Sequence, residues 1–281
     1  MTAAFQRTDT CVRPSTNGAV IMVLKVTEHC NATCDYCTYS DRGAEAGRMN
    51  PGVLEALFVR IDEYLAENPE AEIELLWHGG EPLLPGPEYY RSAIRLLSHH
   101  CRETNGRIRN GIQTNLTCCN EEFVPIFRRM GIASVGTSYD PEPDIRRIGR
   151  RGGSERYNRR FMDGISLLQR NGIGWHVGYV VTRRSLDRPL DIFHFLANLS
   201  PAGGFSMSPV LIPGAKEHEL TITPDEYVEF LGAVFPDWWT HRERYPSVQP
   251  FEGLIKVIVE QGEASGYGGG GICDVALANM V

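Results

Sequence analysis

Six short β-branched runs alternate with five helix-length segments through most of this chain, and that rhythm limits the fold more than any other feature. The strand-like runs cover 21–27, 73–77, 107–113, 133–138, 175–182 and 204–209. Helix patterns fill 51–67, 87–103, 121–130, 155–170 and 189–199. Pro51, Pro87 and Pro189 each suit a first helical turn, where a missing N–H costs nothing. Asn171-Gly172 supplies a C-cap for the fourth helix. Repeated βα units require parallel strands joined by right-handed crossovers. The expected class is therefore α/β, a partial (β/α)6 TIM-like barrel. A doubly wound sheet is the competing arrangement, and periodicity does not separate the two.

After residue 209 the rhythm changes. Thr223-Pro224-Asp225-Glu226 starts a helix expected to reach Phe235, and a second, over 251–261, stops at Gly262. A glycine-rich stretch then leads to Cys273-Asp274 and a final apolar run. The expected organisation is an N-terminal extension over 1–18, a barrel over 19–215, and an α-rich C-terminal extension over 216–281.

Charge and cysteine content narrow the function classes. With 28 Lys and Arg against 35 Asp and Glu, the net charge of −7 presents no global basic field for nucleic acid. Seven arginines between Arg146 and Arg160 read as a solvated face around a helix start, with attraction of an acidic substrate or RNA as the minor alternative. No apolar run is long enough to span a bilayer, and the first residues lack a signal pattern. Eight unevenly spaced cysteines do not make a disulfide scaffold, so a reducing cytoplasm is the expected location.

Cys30, Cys34 and Cys37 lie within eight residues, separated by three and then two others. Structural zinc takes four protein ligands, so His29 or a distant cysteine would have to complete such a site. A 4Fe–4S cluster on three thiolates leaves one iron open to an outside ligand. A merely structural group of thiols is the third reading.

This C-x3-C-x2-C loop after a first strand, with Tyr36 before its last cysteine, resembles the signature of the radical S-adenosylmethionine (radical SAM) superfamily. The resemblance implies a 4Fe–4S cluster on Cys30, Cys34 and Cys37, with Tyr36 beside the cofactor. The open iron would chelate S-adenosylmethionine (SAM). Reductive cleavage of SAM would then yield a 5′-deoxyadenosyl radical that takes a hydrogen atom from a substrate. A one-electron donor such as flavodoxin or ferredoxin is implied with it.

Trp77-His78-Gly79-Gly80-Glu81-Pro82 closes the second strand. Paired glycines there let the backbone approach a ligand closely, and an ordinary glycine-rich turn is the alternative. By resemblance, Gly79, Gly80 and Glu81 meet the SAM amino group. Gln113-Thr114-Asn115 and Ser138-Tyr139-Asp140 are similar to segments of the anaerobic sulfatase-maturing and peptide-modifying enzymes of that superfamily. This implies that Gln113, Asn115 and Ser138 line the SAM site, plain strand-end hydrogen bonding being the alternative. It also implies that an arginine in a D-x-x-R sequence holds the SAM carboxylate. Asp144-Ile145-Arg146-Arg147 assigns this to Arg147, with Arg146 as the alternative. Pro141 stands where that subgroup usually has glycine. Val180-Val181 is the expected backbone contact for adenine.

Cys11, Cys101, Cys118 and Cys119 read as free thiols, and His78, His176 and His194 as hydrogen-bonded histidines. Cys273 has three readings: the first ligand of a truncated SPASM-type auxiliary domain, a residue of a one-cluster enzyme, or a hydrogen-atom donor. Cys273 and Asp274 are accordingly the candidate catalytic residues. The implied activity is that of an oxidoreductase acting on a peptide or protein side chain, by oxidation or cross-linking. Alternatives are dehydrogenation or epimerisation of a small metabolite such as an aminoglycoside, and a non-catalytic relative that binds peptide or zinc.

Overall fold

The computed structural model describes residues 19–37, 47–148, 153–199, 203–212 and 218–259. The extension over 1–18, Cys11, Cys273 and Asp274 lie outside them. In chain order the elements are β1 (Ala19–Thr27), β2 (Ala32–Cys34), α1 (Pro51–Glu67), β3 (Glu72–Gly79), α2 (Pro87–His100) and β4 (Ile108–Gln113). Next come α3 (Phe123–Arg129), β5 (Ser134–Ser138), β6 (Arg146–Ile148), α4 (Ser154–Arg170) and β7 (Gly174–Val181). The last are α5 (Pro189–Leu199), β8 (Phe205–Pro209), α6 (Pro224–His241), β9 (Val248–Gln249) and α7 (Phe251–Val259).

The main sheet has the order β1-β3-β4-β5-β7-β8-β9, and every neighbouring pair is parallel. Strand order follows chain order without reversal. A doubly wound sheet needs a reversal, so the competing arrangement is set aside and the singly wound, barrel-like one stands. Among the described residues the sheet is open, with β1 and β9 at its edges. A seventh strand, β9, extends the six expected; at two residues it is too short to show any periodicity.

Alternation along the strands divides the sheet into two faces. On β3, Ile73, Leu75 and Trp77 are buried against helices; on β7, Trp175, Val177, Tyr179 and Val181 do the same. The other face carries Glu72, Glu74, Leu76, Gly174, His176 and Gly178, which are only half-buried. This polar, glycine-rich inner wall departs from the doubly apolar habit of parallel strands.

Helices seal the outer face. In α1, Leu54, Phe58, Ile61 and Leu65 recur at helical spacing and are almost completely buried. Each such burial contributes about 1.5–3 kcal/mol. Asn50 caps this helix by accepting the Gly52 N–H at 2.8 Å, and Pro51 follows at the first turn. At the other end Arg107 donates to the carbonyls of Leu65, Asn68, Pro69 and Ala71 at 2.7–3.1 Å. Gly172, at φ +65°, ends α4 in the left-handed region.

Three expectations are corrected. α6 continues through Pro236 to His241, because Trp238 and Trp239 pack with Phe235 and Trp238 also packs on Phe251. That aromatic packing offsets the backbone bond that proline removes. α2 ends at His100 rather than 103, and a turn leads into a short 3-10 segment before β4. The arginine run is not uniformly solvated: Arg156, Arg159 and Arg160 are exposed, but Arg146 is buried in β6. β6 itself pairs antiparallel with β2, a ribbon that sequence periodicity did not reveal.

Candidate cluster and cofactor site

The parallel strands deliver their C-terminal ends to one rim, where barrel enzymes place their chemistry. β1 ends at Thr27 and enters the cysteine loop. Gly79 and Gly80, at the end of the neighbouring β3, lie directly against that entry. A Cβ on Gly79, whose φ is +133°, would sit 2.2 Å from the Thr27 carbonyl oxygen. One on Gly80 would sit 2.3 Å from that of His29. The Gly80 N–H donates to Thr27 O at 2.7 Å, and the Glu81 N–H to His29 O at 2.8 Å. The close approach these glycines permit is thus to the chain's own cysteine loop.

The loop is built rather than slack. Its middle forms β2, with Ala32, Thr33 and Cys34 opposite Ile148, Arg147 and Arg146. The Cys37 N–H donates to Cys34 O at 3.0 Å, and the Asp35 N–H to Ile145 O at 3.1 Å. Cys34 is buried, and Cys30 and Cys37 are half-buried. Burial pushes the Cys30 and Cys34 thiols up to about 12.

Two donors face the sulfur of Cys30. The Ala32 N–H points at Cys30 Sγ at 3.4 Å, and Asn115 Nδ2 lies 3.7 Å from the same sulfur. Asn115 also donates to Asn31 Oδ1 at 3.0 Å. Asn31 donates in turn to Thr117 Oγ1 at 2.7 Å and to Cys118 Sγ at 3.2 Å. Asn31 and Thr117 were not singled out from the sequence. Nothing local marks them, because their partnership joins segments 86 residues apart.

Glu81 is completely buried at the centre of this rim. Its Oε1 accepts from Leu83 N at 2.9 Å and Thr114 Oγ1 at 2.7 Å, and its Oε2 from Asn115 N at 2.7 Å. Burial raises the carboxyl to about 7, against the lowering effect of those three donors. Glu81 therefore ties the β3 turn to the end of β4.

Gln113 and Ser138 meet on the inner wall, with Gln113 Nε2 donating to Ser138 Oγ at 3.2 Å. Gly136 makes this possible: a Cβ there would fall 2.0 Å from Gln113 Oε1. His78 is buried and takes the Gly79 N–H on Nδ1 at 2.6 Å, and its Nε2 has no partner among the described residues. Burial lowers its pKa. His176 lies 3.4 Å from both Gly203 O and Ser206 Oγ, and His194 bonds Asp237.

Tyr36 and the two candidate arginines divide clearly. The Tyr36 hydroxyl donates to Asp140 Oδ2 at 2.6 Å and receives Arg146 Nη2. Arg146 also donates from Nε to the same carboxylate oxygen, and Val180 N–H donates to Asp140 Oδ1 at 3.2 Å. Arg147 lies on the other face of the ribbon, about one-third exposed (34%), and pairs with Asp35. Arg146 is thus committed to the protein, and Arg147 is the more accessible of the pair. Tyr36, Ile145, Val180, Val210 and Leu220 form a small apolar cluster beside the loop.

Among the described residues, no three His, Cys, Asp or Glu side chains converge on a single-ion position. The donor set itself suits an iron–sulfur cluster. Three thiols from one loop would hold three corners of such a cluster, and two N–H donors face the sulfur of Cys30.

The sequence profile of the radical SAM superfamily matches residues 24–196. This chain belongs to the radical SAM superfamily. A serine-type anaerobic sulfatase-maturating enzyme of Bacteroides thetaiotaomicron is 28% identical over 252 residues, covering 82% of this chain and 59% of that protein. A cysteine-type enzyme of Clostridium novyi is 24% identical, covering 85% and 65%. The chain thus spans about three-fifths of the length of these relatives. Among solved structures, native anSMEcpe with bound AdoMet superposes with a TM-score of 0.74 at 21% identity, covering 89% of this chain and 69% of that one. Streptococcus suis SuiB superposes at 0.55 and 16% identity, covering 81% and 48%. These likenesses agree with the partial-barrel fold. The cofactors of this radical SAM chain are a 4Fe–4S cluster and SAM. No described helix is long and apolar enough to cross a membrane.

Proposed function

We propose that this radical SAM enzyme is an oxidoreductase that takes a hydrogen atom from a peptide or protein side chain, leading to oxidation or cross-linking. The observation that carries the reading is the cysteine loop seated at the strand-end rim, where Asn115 reaches Cys30 and Gln113 meets Ser138 on the half-buried inner wall. The relatives named for sulfatase maturation, and an anSMEcpe structure with AdoMet and the Kp18Cys peptide, supply the substrate class.

In this reading Cys30, Cys34 and Cys37 hold the cluster. When bound, the cluster and SAM supply one-electron cleavage of a sulfonium and a carbon radical that removes the hydrogen atom. The protein's own work is placement and exclusion of water. Gly79 and Gly80 seat the loop, and Glu81 and Asn115 fix its depth. Gln113 and Ser138 offer polar contacts to SAM from the inner wall. Arg147, the more accessible arginine, is assigned the SAM carboxylate, and Tyr36 with Val180 forms the apolar side of the pocket. A flavodoxin- or ferredoxin-type donor supplies the electron, in a cytoplasmic setting. Residues 19–215 form the catalytic unit and 216–281 its extension, with Cys273 and Asp274 as candidates for the late chemistry.

The test is anaerobic reconstitution followed by incubation with SAM, dithionite and a peptide carrying the cysteine or serine of a sulfatase-type motif. Formation of 5′-deoxyadenosine with loss of two hydrogens from the peptide supports the proposal. Turnover of SAM with an unchanged peptide, and deuterium incorporated from heavy water into a small metabolite, would move the assignment to epimerisation. Stoichiometric zinc in place of iron would replace the enzymatic reading with a binding role.

A further inference from the structure

Beside the cysteine loop lies a buried ion pair that cofactor binding leaves unexplained. Arg146 is the cross-strand partner of Cys34 in the β2–β6 ribbon, so the two side chains share a face. Thr33 and Arg147 occupy the opposite face. The side chains of Arg146 and Asp140 are 1% and 0% exposed. The guanidinium donates to Asp140, to the Tyr36 hydroxyl, and at 3.5 Å to the Tyr157 hydroxyl. A buried arginine paired this way is costly to assemble, and well-packed apolar residues would stabilise a fold as well or better. Its place opposite Cys34 points to electrostatics.

We propose that Arg146 and Asp140 form a charge pair that tunes the reduction potential of the cluster on the adjacent loop, Arg146 raising it and Asp140 lowering it. The inference rests on the cluster being bound by Cys30, Cys34 and Cys37. One-electron reduction adds a negative charge to a centre already carrying thiolates. A fixed positive charge beside Cys34 favours the reduced form, and a carboxylate opposes it. Little water intervenes to screen either charge at this depth. Arg146 is a positioning and tuning residue, with no contact to the substrate required.

The experiment is redox titration of the reconstituted protein, following the electron paramagnetic resonance signal of the reduced cluster. Arg146→Gln is expected to move the midpoint to more negative potential and Asp140→Asn to more positive potential. Arg146→Lys should stay near wild type, and the R146Q/D140N double variant should fall between the single variants. Tyr36→Phe, which removes a hydrogen bond and no charge, should shift the midpoint least. If R146Q fails to hold a cluster, D140N and the double variant decide: the midpoint should rise in the first and fall back in the second, which leaves no uncompensated buried charge. Shifts of the same sign in all variants, or none in protein with full iron content, would overturn the inference and leave the cluster assignment standing. Wild-type protein lacking the signal of a 4Fe–4S centre would overturn the assignment itself, and the inference with it.

Discussion

Glu81 offers a quantitative test of how the rim is held. Its carboxyl is lifted from an ordinary 4.5 to about 7 by burial, despite three donors that favour its ionised form. Between those values the folded chain keeps a proton that the unfolded chain has lost. The stability contributed by this group is complete below about pH 4.5 and is lost as pH rises through 7. At about 1.4 kcal/mol per pH unit, the whole effect is about 3 kcal/mol. Glu81→Gln cannot titrate, and its amide NH2 would face the Asn115 N–H that Oε2 now accepts. At acid pH the variant should therefore be less stable by about 1–3 kcal/mol, the cost of one unsatisfied buried donor. Above pH 7 that gap should close or reverse, because wild type then carries a buried charge. Urea unfolding of the cluster-free chain from pH 4.5 to 8, followed by tryptophan fluorescence, measures the difference directly. A stability difference that does not vary with pH, or a Glu81 carboxyl that titrates near 4.5 by NMR, would refute the reasoning.

Other outcomes follow from the same geometry. Replacing Cys30, Cys34 or Cys37 with alanine should abolish SAM cleavage, read as 5′-deoxyadenosine formed under dithionite. Gly80→Ala forces a carbon to within 2.3 Å of the His29 carbonyl, so iron content after reconstitution should drop severely. Gln113→Ala should weaken SAM binding about tenfold, the worth of roughly one hydrogen bond, as measured by calorimetry. Phe58→Ala empties a fully buried site under α1 and should cost about 3–5 kcal/mol in chemical unfolding.

The strand and helix order was legible because it depends on local pattern. Leu54, Phe58, Ile61 and Leu65 mark a helix wherever it packs, and Pro51 and Gly172 mark ends through backbone geometry alone. β2, β6 and β9 were not legible, since two or three residues cannot display a period. The barrel became distinguishable from a doubly wound sheet only through strand order, a relation between distant segments. The same division runs through the site. Cysteine spacing is local and announced the cluster loop, whereas no pattern in the arginine run says which member is buried. Arg146 is selected by Tyr36, 110 residues away, and by the register of the ribbon. The paired glycines were legible as a close approach, but its partner, the Thr27–His29 backbone, emerged only from the packing of β1 on β3.

The two-residue β9 has a consequence for how this molecule behaves in a crowded solution. It covers only Phe205 and Ser206 of β8, so Met207, Ser208 and Pro209 have no paired strand beyond them among the described residues. An uncovered margin of this kind invites a foreign strand to add itself. Here Tyr227 of α6 donates its hydroxyl to the Met207 carbonyl at 2.7 Å, and Pro209 has no N–H to offer. The margin of β8 is thus blunted by one hydroxyl and one imino acid, which disfavours the addition of a foreign strand there.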